Sequence, residues 1–70
     1  MQPLVFLQPG EGGVIRRVGG AGETKRFLTG LGFVEDSLIQ VVSSSAGNMI
    51  VNVKDSRIAI NKDMAKRIMV

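Results

Sequence analysis

Between Thr24 and Leu31 the small or apolar positions are Thr24, Phe27, Leu28 and Leu31, the i, i+3, i+4, i+7 stripe of one helical face. Glu23, Lys25, Arg26 and Thr29 occupy the other side. The stripe predicts a short helix from Glu23 to Leu31, with Glu23 in the first turn, where the macrodipole favours an acid. Gly32 falls where a helix end needs a residue with positive φ. Phe33 is the apolar residue expected to fold back onto Leu28 in a Schellman-type cap. Phe27, Leu28, Leu31 and Phe33 could line a peptide-binding groove, but they have ordinary core spacing, so they are expected to pack inward and leave a basic outer face.

The rest of the pattern reads as strand. Gly13 to Val18 is expected to form the first main strand, with Val14 and Val18 on one side and Ile15 on the other. Gly19-Gly20-Ala21-Gly22 is a bend leading into the helix, and Phe33 to Ser37 is a turn. Leu38 to Val42 forms a second strand, followed by a polar hairpin loop from Ser43 to Asn48 that carries Gly47. Met49 to Val53 is a third strand. Lys54-Asp55-Ser56 is a tight turn in which Asp55 tolerates the left-handed region. Ile58 to Ile60 is a fourth strand, Asn61 caps a single helical turn through Ala65, and Arg67 to Val70 closes the chain as a strand. Five short strands joined by tight turns, with one inserted helix, predict an all-β small barrel whose closure removes exposed edges.

A chain of 70 residues is one domain with a thin core. Its 44% hydrophobic content argues against disorder. No apolar run approaches the roughly 20 residues of a membrane-spanning helix. Met1 to Leu7 lacks a basic region and is too short an apolar stretch for a signal peptide, so a cytoplasmic location is expected. The net charge of +3 is a mild basic bias that favours acidic partners.

Cys and His are both absent, which removes disulfides, thiolate sites and the usual ligands of structural zinc and catalytic transition metals. The carboxylates Glu11, Glu23, Glu35, Asp36, Asp55 and Asp63 are scattered apart from the adjacent Glu35-Asp36, whose side chains diverge in a turn. No resident metal, cofactor or catalytic residue is expected. The hydroxyls of Thr24, Thr29, Ser37, Ser43, Ser44, Ser45 and Ser56 have no His base and no activated lysine, so the chain is not expected to be an enzyme. The glycines before the helix lack the spacing and the Lys-Ser/Thr pair of a phosphate loop and read as a hinge. Arg16, Arg17, Lys25 and Arg26 gather near one bend of the chain. They suit either an acidic protein surface or phosphate, or else form a solvated face.

These residues resemble the family of ferrous iron transport protein A, FeoA. The matching pieces are Leu7-Gln8-Pro9-Gly10-Glu11, Val14-Ile15-Arg16-Arg17-Val18 and Lys25-Arg26-Phe27-Leu28-Thr29-Gly30-Leu31-Gly32-Phe33. Leu38-Ile39-Gln40-Val41-Val42, Arg57-Ile58-Ala59-Ile60 and Ala65-Lys66-Arg67-Ile68-Met69-Val70 complete the series. The resemblance spans nearly the whole chain in order and spacing. It departs at Asp36 and Asp55, where the family favours Gly, at Gly30 inside the last helical turn, and at the apolar Val5-Phe6 doublet.

The resemblance implies an SH3-like barrel with a helical insertion. It implies a small cytosolic accessory protein of bacterial ferrous iron uptake that binds the cytoplasmic GTP-binding part of a FeoB-like membrane transporter. It also carries transition-metal-ion binding as a family inference, to which these residues lend little chemical support. The expected partner contact comprises Arg16, Arg17, Lys25, Arg26, Thr29 and Gly30, without insertion into the membrane. One alternative is a free-standing regulator-type module similar to the C-terminal SH3-like domain of metal-dependent repressors, although no DNA-reading segment is present. Another is a small RNA-binding barrel. With no Tyr or Trp and three Phe, two of them expected in the core, it lacks stacking platforms, and no specific nucleic acid is expected.

Overall fold

A computed structural model describes all residues from Met1 to Val70. A single 3-10 turn, Leu4–Phe6, precedes strands β1 (Gly12–Val14) and β2 (Arg17–Val18) and helix α1 (Glu23–Gly30). Strands β3 (Leu38–Ser45), β4 (Asn48–Val53) and β5 (Ser56–Asn61) follow, then the one-turn helix α2 (Lys62–Ala65) and strand β6 (Ile68–Met69). The expected mostly-β barrel with one inserted helix is the architecture observed. No helix is long and apolar enough to cross a membrane.

The barrel is made of two antiparallel sheets, one ordered β1-β3-β4-β5 and one formed by β2 and β6. Hydrogen bonding therefore does not run unbroken around the wall, and the complete closure expected from sequence is not formed. The expected strand Gly13–Val18 is divided between the sheets. Val14 pairs with Leu38 in one, and Val18 with Ile68 in the other. Between them the N–H of Ile15 donates to Ser37 at 2.9 Å and the N–H of Arg16 to Met69 at 2.7 Å. The break has a packing reason. Ile15 and Val18 are the buried residues here, and a spacing of three cannot keep both on one face of an unbroken strand.

The polar segment Ser43–Asn48, expected as a loop, is mostly strand. β3 runs to Ser45, and Ala46-Gly47 alone make the turn, since Ser45 is the cross-strand partner of Asn48. Both turn residues have positive φ, 45° and 86°, the signature of a type I′ hairpin whose twist matches its strands. Lys54 and Asp55 repeat the device at 48° and 64° between β4 and β5. A bulge at Val42 shifts the register of β3 against β4.

Fourteen apolar residues form one core, and no polar side chain is buried. Leu4 and Leu7, which the strand pattern did not place in the core, both belong to it. The 3-10 turn carries Leu4 inward. The first and last segments lie side by side: Gln2 and Val70 exchange N–H to C=O bonds of 2.8 Å each way, and Pro3 bridges Met69.

Candidate docking surface

Helix α1 supplies most of the candidate surface. Its C-terminal end is capped as the sequence predicts. Gly32 has a φ of 108°, the N–H of Phe33 donates to Leu28 at 3.0 Å, and the N–H of Gly32 donates to Thr29 at 3.0 Å. α2 starts on Asn61, whose side-chain oxygen accepts the Met64 N–H at 2.8 Å. The two caps hold the two helices at defined places on the barrel.

The inward face of α1 is narrower than its stripe suggests. Leu28 is fully buried, Thr24 and Leu31 are half-buried, and Phe27 is 53% exposed. The expectation that Phe27 lies in the core is corrected here. Leu28 and Phe27 are adjacent, so they point about 100° apart around the helix axis. A helix of just over two turns laid against a small barrel covers one row of residues. Leu28 takes the centre of that row and Phe27 is left at its margin. Phe6 is 66% exposed, so Phe33 is the one buried phenylalanine of the three, against the two expected.

Every residue of the expected contact is exposed. Arg16 precedes β2, Arg17 lies on β2 opposite Met69, and Lys25, Arg26, Thr29 and Gly30 lie on α1. α1 packs against β2, which brings the two stretches of chain together. An added Cβ at Gly30 would meet nothing within 4 Å. The chain's one ion pair is Lys66 with Asp63 at 3.9 Å, between exposed side chains at α2 and its cap, so Arg16, Arg17, Lys25 and Arg26 are unneutralised by any carboxylate. A field of unpaired cations steers an acidic partner more than it stabilises the fold.

Beside α1 is a groove of about 610 Å³, lined in part by Phe27 and Leu31, for which the sequence favoured core packing over a groove. Phe27 of α1, Leu31 at its C-terminal cap, Met64 of α2, Ile50 of β4 and Ala59 of β5 give it an apolar lining, and Ser45 and Asn48 of the hairpin are among its polar groups. No charged side chain lines it. One local signal was available: Asn48, Ile50 and Asn52 alternate along one face of β4, and an isoleucine is out of place in a solvated asparagine row. Ala59 and Met64 carried no such signal, because their place in the groove depends on pairing and on the position of α2.

The donor set does not suit a resident transition metal. No three carboxylates come together anywhere, and neither thiolate nor imidazole ligands exist in the sequence. What the surface offers is an exposed aromatic edge, an uncharged groove and unpaired cations.

A family model described as the FeoA domain matches residues 2–70. The chain is 34% identical over 71 residues to a protein of Methanocaldococcus jannaschii named as Fe(2+) transport protein A, across 100% of this chain and 85% of that one. A crystal structure of an iron uptake regulatory protein, FeoA, has a TM-score of 0.91 at 32% identity, over 97% of this chain and 92% of the other. The FeoA of Stenotrophomonas maltophilia, solved with zinc and described as a prokaryotic SH3 domain protein, has a TM-score of 0.85. It is 26% identical over 96% of this chain and 86% of its own. The SH3-like fold and the family resemblance expected from the sequence are both borne out.

Proposed function

Because the chain belongs to the FeoA domain family, whose members serve ferrous iron transport, we propose that it docks on the cytoplasmic, GTP-binding part of the membrane iron transporter and modulates transport or assembly. The observation that carries this reading is on α1. Phe27 stands exposed at the edge of an uncharged groove, next in sequence to Lys25 and Arg26, which no carboxylate of the chain neutralises. An aromatic anchor in a groove supplies affinity at protein interfaces, and flanking charge sets the rate and orientation of encounter. Iron is the cargo of the transporter in this reading, and this chain acts on the protein that carries it.

Lys25→Glu combined with Arg26→Glu tests the proposal. Both side chains are exposed, so the thermal midpoint is expected to stay nearly unchanged. Co-purification with the transporter's cytoplasmic domain is expected to be lost. If the double reversal binds as well as wild type, the contact lies off this helix, and the surface around Val5 and Phe6 becomes the next to examine.

A further inference from the structure

β5 ends the four-stranded sheet, and no strand pairs with its outer edge. The two-residue turn at Lys54-Asp55 makes Val53 and Ser56 the hydrogen-bonded pair next to the loop. By alternation Ser56, Ile58 and Ile60 bond to β4, and the N–H and C=O groups of Arg57 and Ala59 turn away from it. None of the turn, loop or cap hydrogen bonds takes up either backbone. Both residues are exposed. Free donors and acceptors at alternate positions of a regular strand form a template for another extended chain. β5 has no proline, and its pairing with β4 has no bulge to twist the edge away.

The same strand borders the groove, where Ala59 and Ile60 join Phe27 and Met64 in the lining. Its charge is one-sided. From Lys54 to Lys62 the cations are Lys54, Arg57 and Lys62, and the lone carboxylate is Asp55. None of them is in an ion pair. A second copy of this chain is a poor match, because β5 carries no acid. Pairing β5 with itself would place Arg57 near a like-charged strand with nothing to oppose it.

We propose that β5 is a docking edge for an extended, acidic segment of a partner protein. The segment adds as a fifth strand through the main-chain groups of Arg57 and Ala59 and lays alternate apolar side chains into the groove beside Phe27 and Met64. The proposal rests on the docking role proposed above, and it supplies the conformation and charge of the segment that docks.

Amide hydrogen exchange of the full chain tests it, with two probes: the transporter's cytoplasmic domain, and a synthetic peptide of alternating valine and glutamate. In a complex with either, exchange at Arg57 and Ala59 is expected to slow at least about tenfold, as for amides drawn into a ladder. Ala59→Pro removes the outward N–H without removing a ladder bond, which edge strands tolerate. It is expected to weaken binding at least about tenfold, and by more than Ala59→Ser, which alters the same side chain but keeps the outward N–H. Should Ala59→Pro fail to fold, the exchange measurement decides alone. If the transporter domain binds but leaves Arg57 and Ala59 unprotected, the edge is overturned and the docking role stands. If that domain does not bind while the peptide protects β5, the docking role falls and the edge stands. Protection by neither probe overturns the edge. Equal protection by a peptide with lysine in place of glutamate overturns the acidic assignment. Protection that rises with the concentration of this chain alone makes a second copy the occupant and overturns the partner.

Discussion

The N–H of Phe33 donates to the carbonyl of Leu28 at 3.0 Å, and both side chains are fully buried in the same core. This bond spans the end of α1 and couples the helix to the chain just beyond its cap. It forms only because Gly32, between them in the turn, has a φ of 108°. With the bond from Gly32 to Thr29, it completes both hydrogen bonds of a Schellman motif. One local turn thus settles where the helix stops and where a core phenylalanine enters.

Gly32→Val is expected to destabilise the fold by about 1–3 kcal/mol through its backbone conformation. Space is not the obstacle, because a Cβ there would meet Lys54 and Val53 side chains at an ordinary 3.9 Å. Chemical denaturation checks it. An unchanged midpoint would mean that the positive φ is not required.

Phe27 and Leu28 are adjacent and apolar but are expected to respond in opposite ways. Leu28→Ala empties a fully buried site and is expected to lose about 2–5 kcal/mol. Phe27→Ser removes a side chain that is 53% exposed, and should lower stability far less while weakening association with the transporter domain. Denaturation midpoints and binding isotherms on the two variants separate the roles. A Phe27→Ser variant that unfolds as readily as Leu28→Ala would return Phe27 to the core.

Gly30 sits in the last turn of α1, exposed and with open space around it. Gly30→Ala is therefore expected to stabilise the protein by roughly 0.5–1 kcal/mol. If a partner backbone comes close at this position, the same substitution weakens docking. Stabilisation together with unchanged affinity for the transporter domain would remove Gly30 from the contact.

Anaerobic isothermal titration with Fe²⁺ or Zn²⁺ is expected to detect no site tighter than about 1 μM, roughly −8 kcal/mol. The reason is the donor set, which lacks Cys, His and any cluster of three carboxylates. A stoichiometric sub-micromolar site would show that scattered carboxylates or main-chain oxygens suffice.

The sequence by itself determined the features whose physics is local. The α1 stripe, its Gly32 cap, the Asn61 cap of α2 and the Lys54-Asp55 turn each depend on residues within a few positions of one another. Helix periodicity and cap hydrogen bonds act over that range. The order of strands and the single inserted helix were legible for the same reason, as was the exposure of Arg16, Arg17, Lys25 and Arg26. Tertiary structure alone decided the remainder. The break at Ile15-Arg16 follows from bonds to Ser37 and Met69, and the extension of β3 to Ser45 from its partner Asn48. Phe27 came out of the core because Leu28 filled the row facing the barrel, and the groove beside it joins residues from Phe27 to Met64. The free edge of β5 exists because the wall divides into two sheets. Each of these turns on which distant segments compete for the same backbone partners and the same core volume, and that competition leaves no periodic trace in the chain.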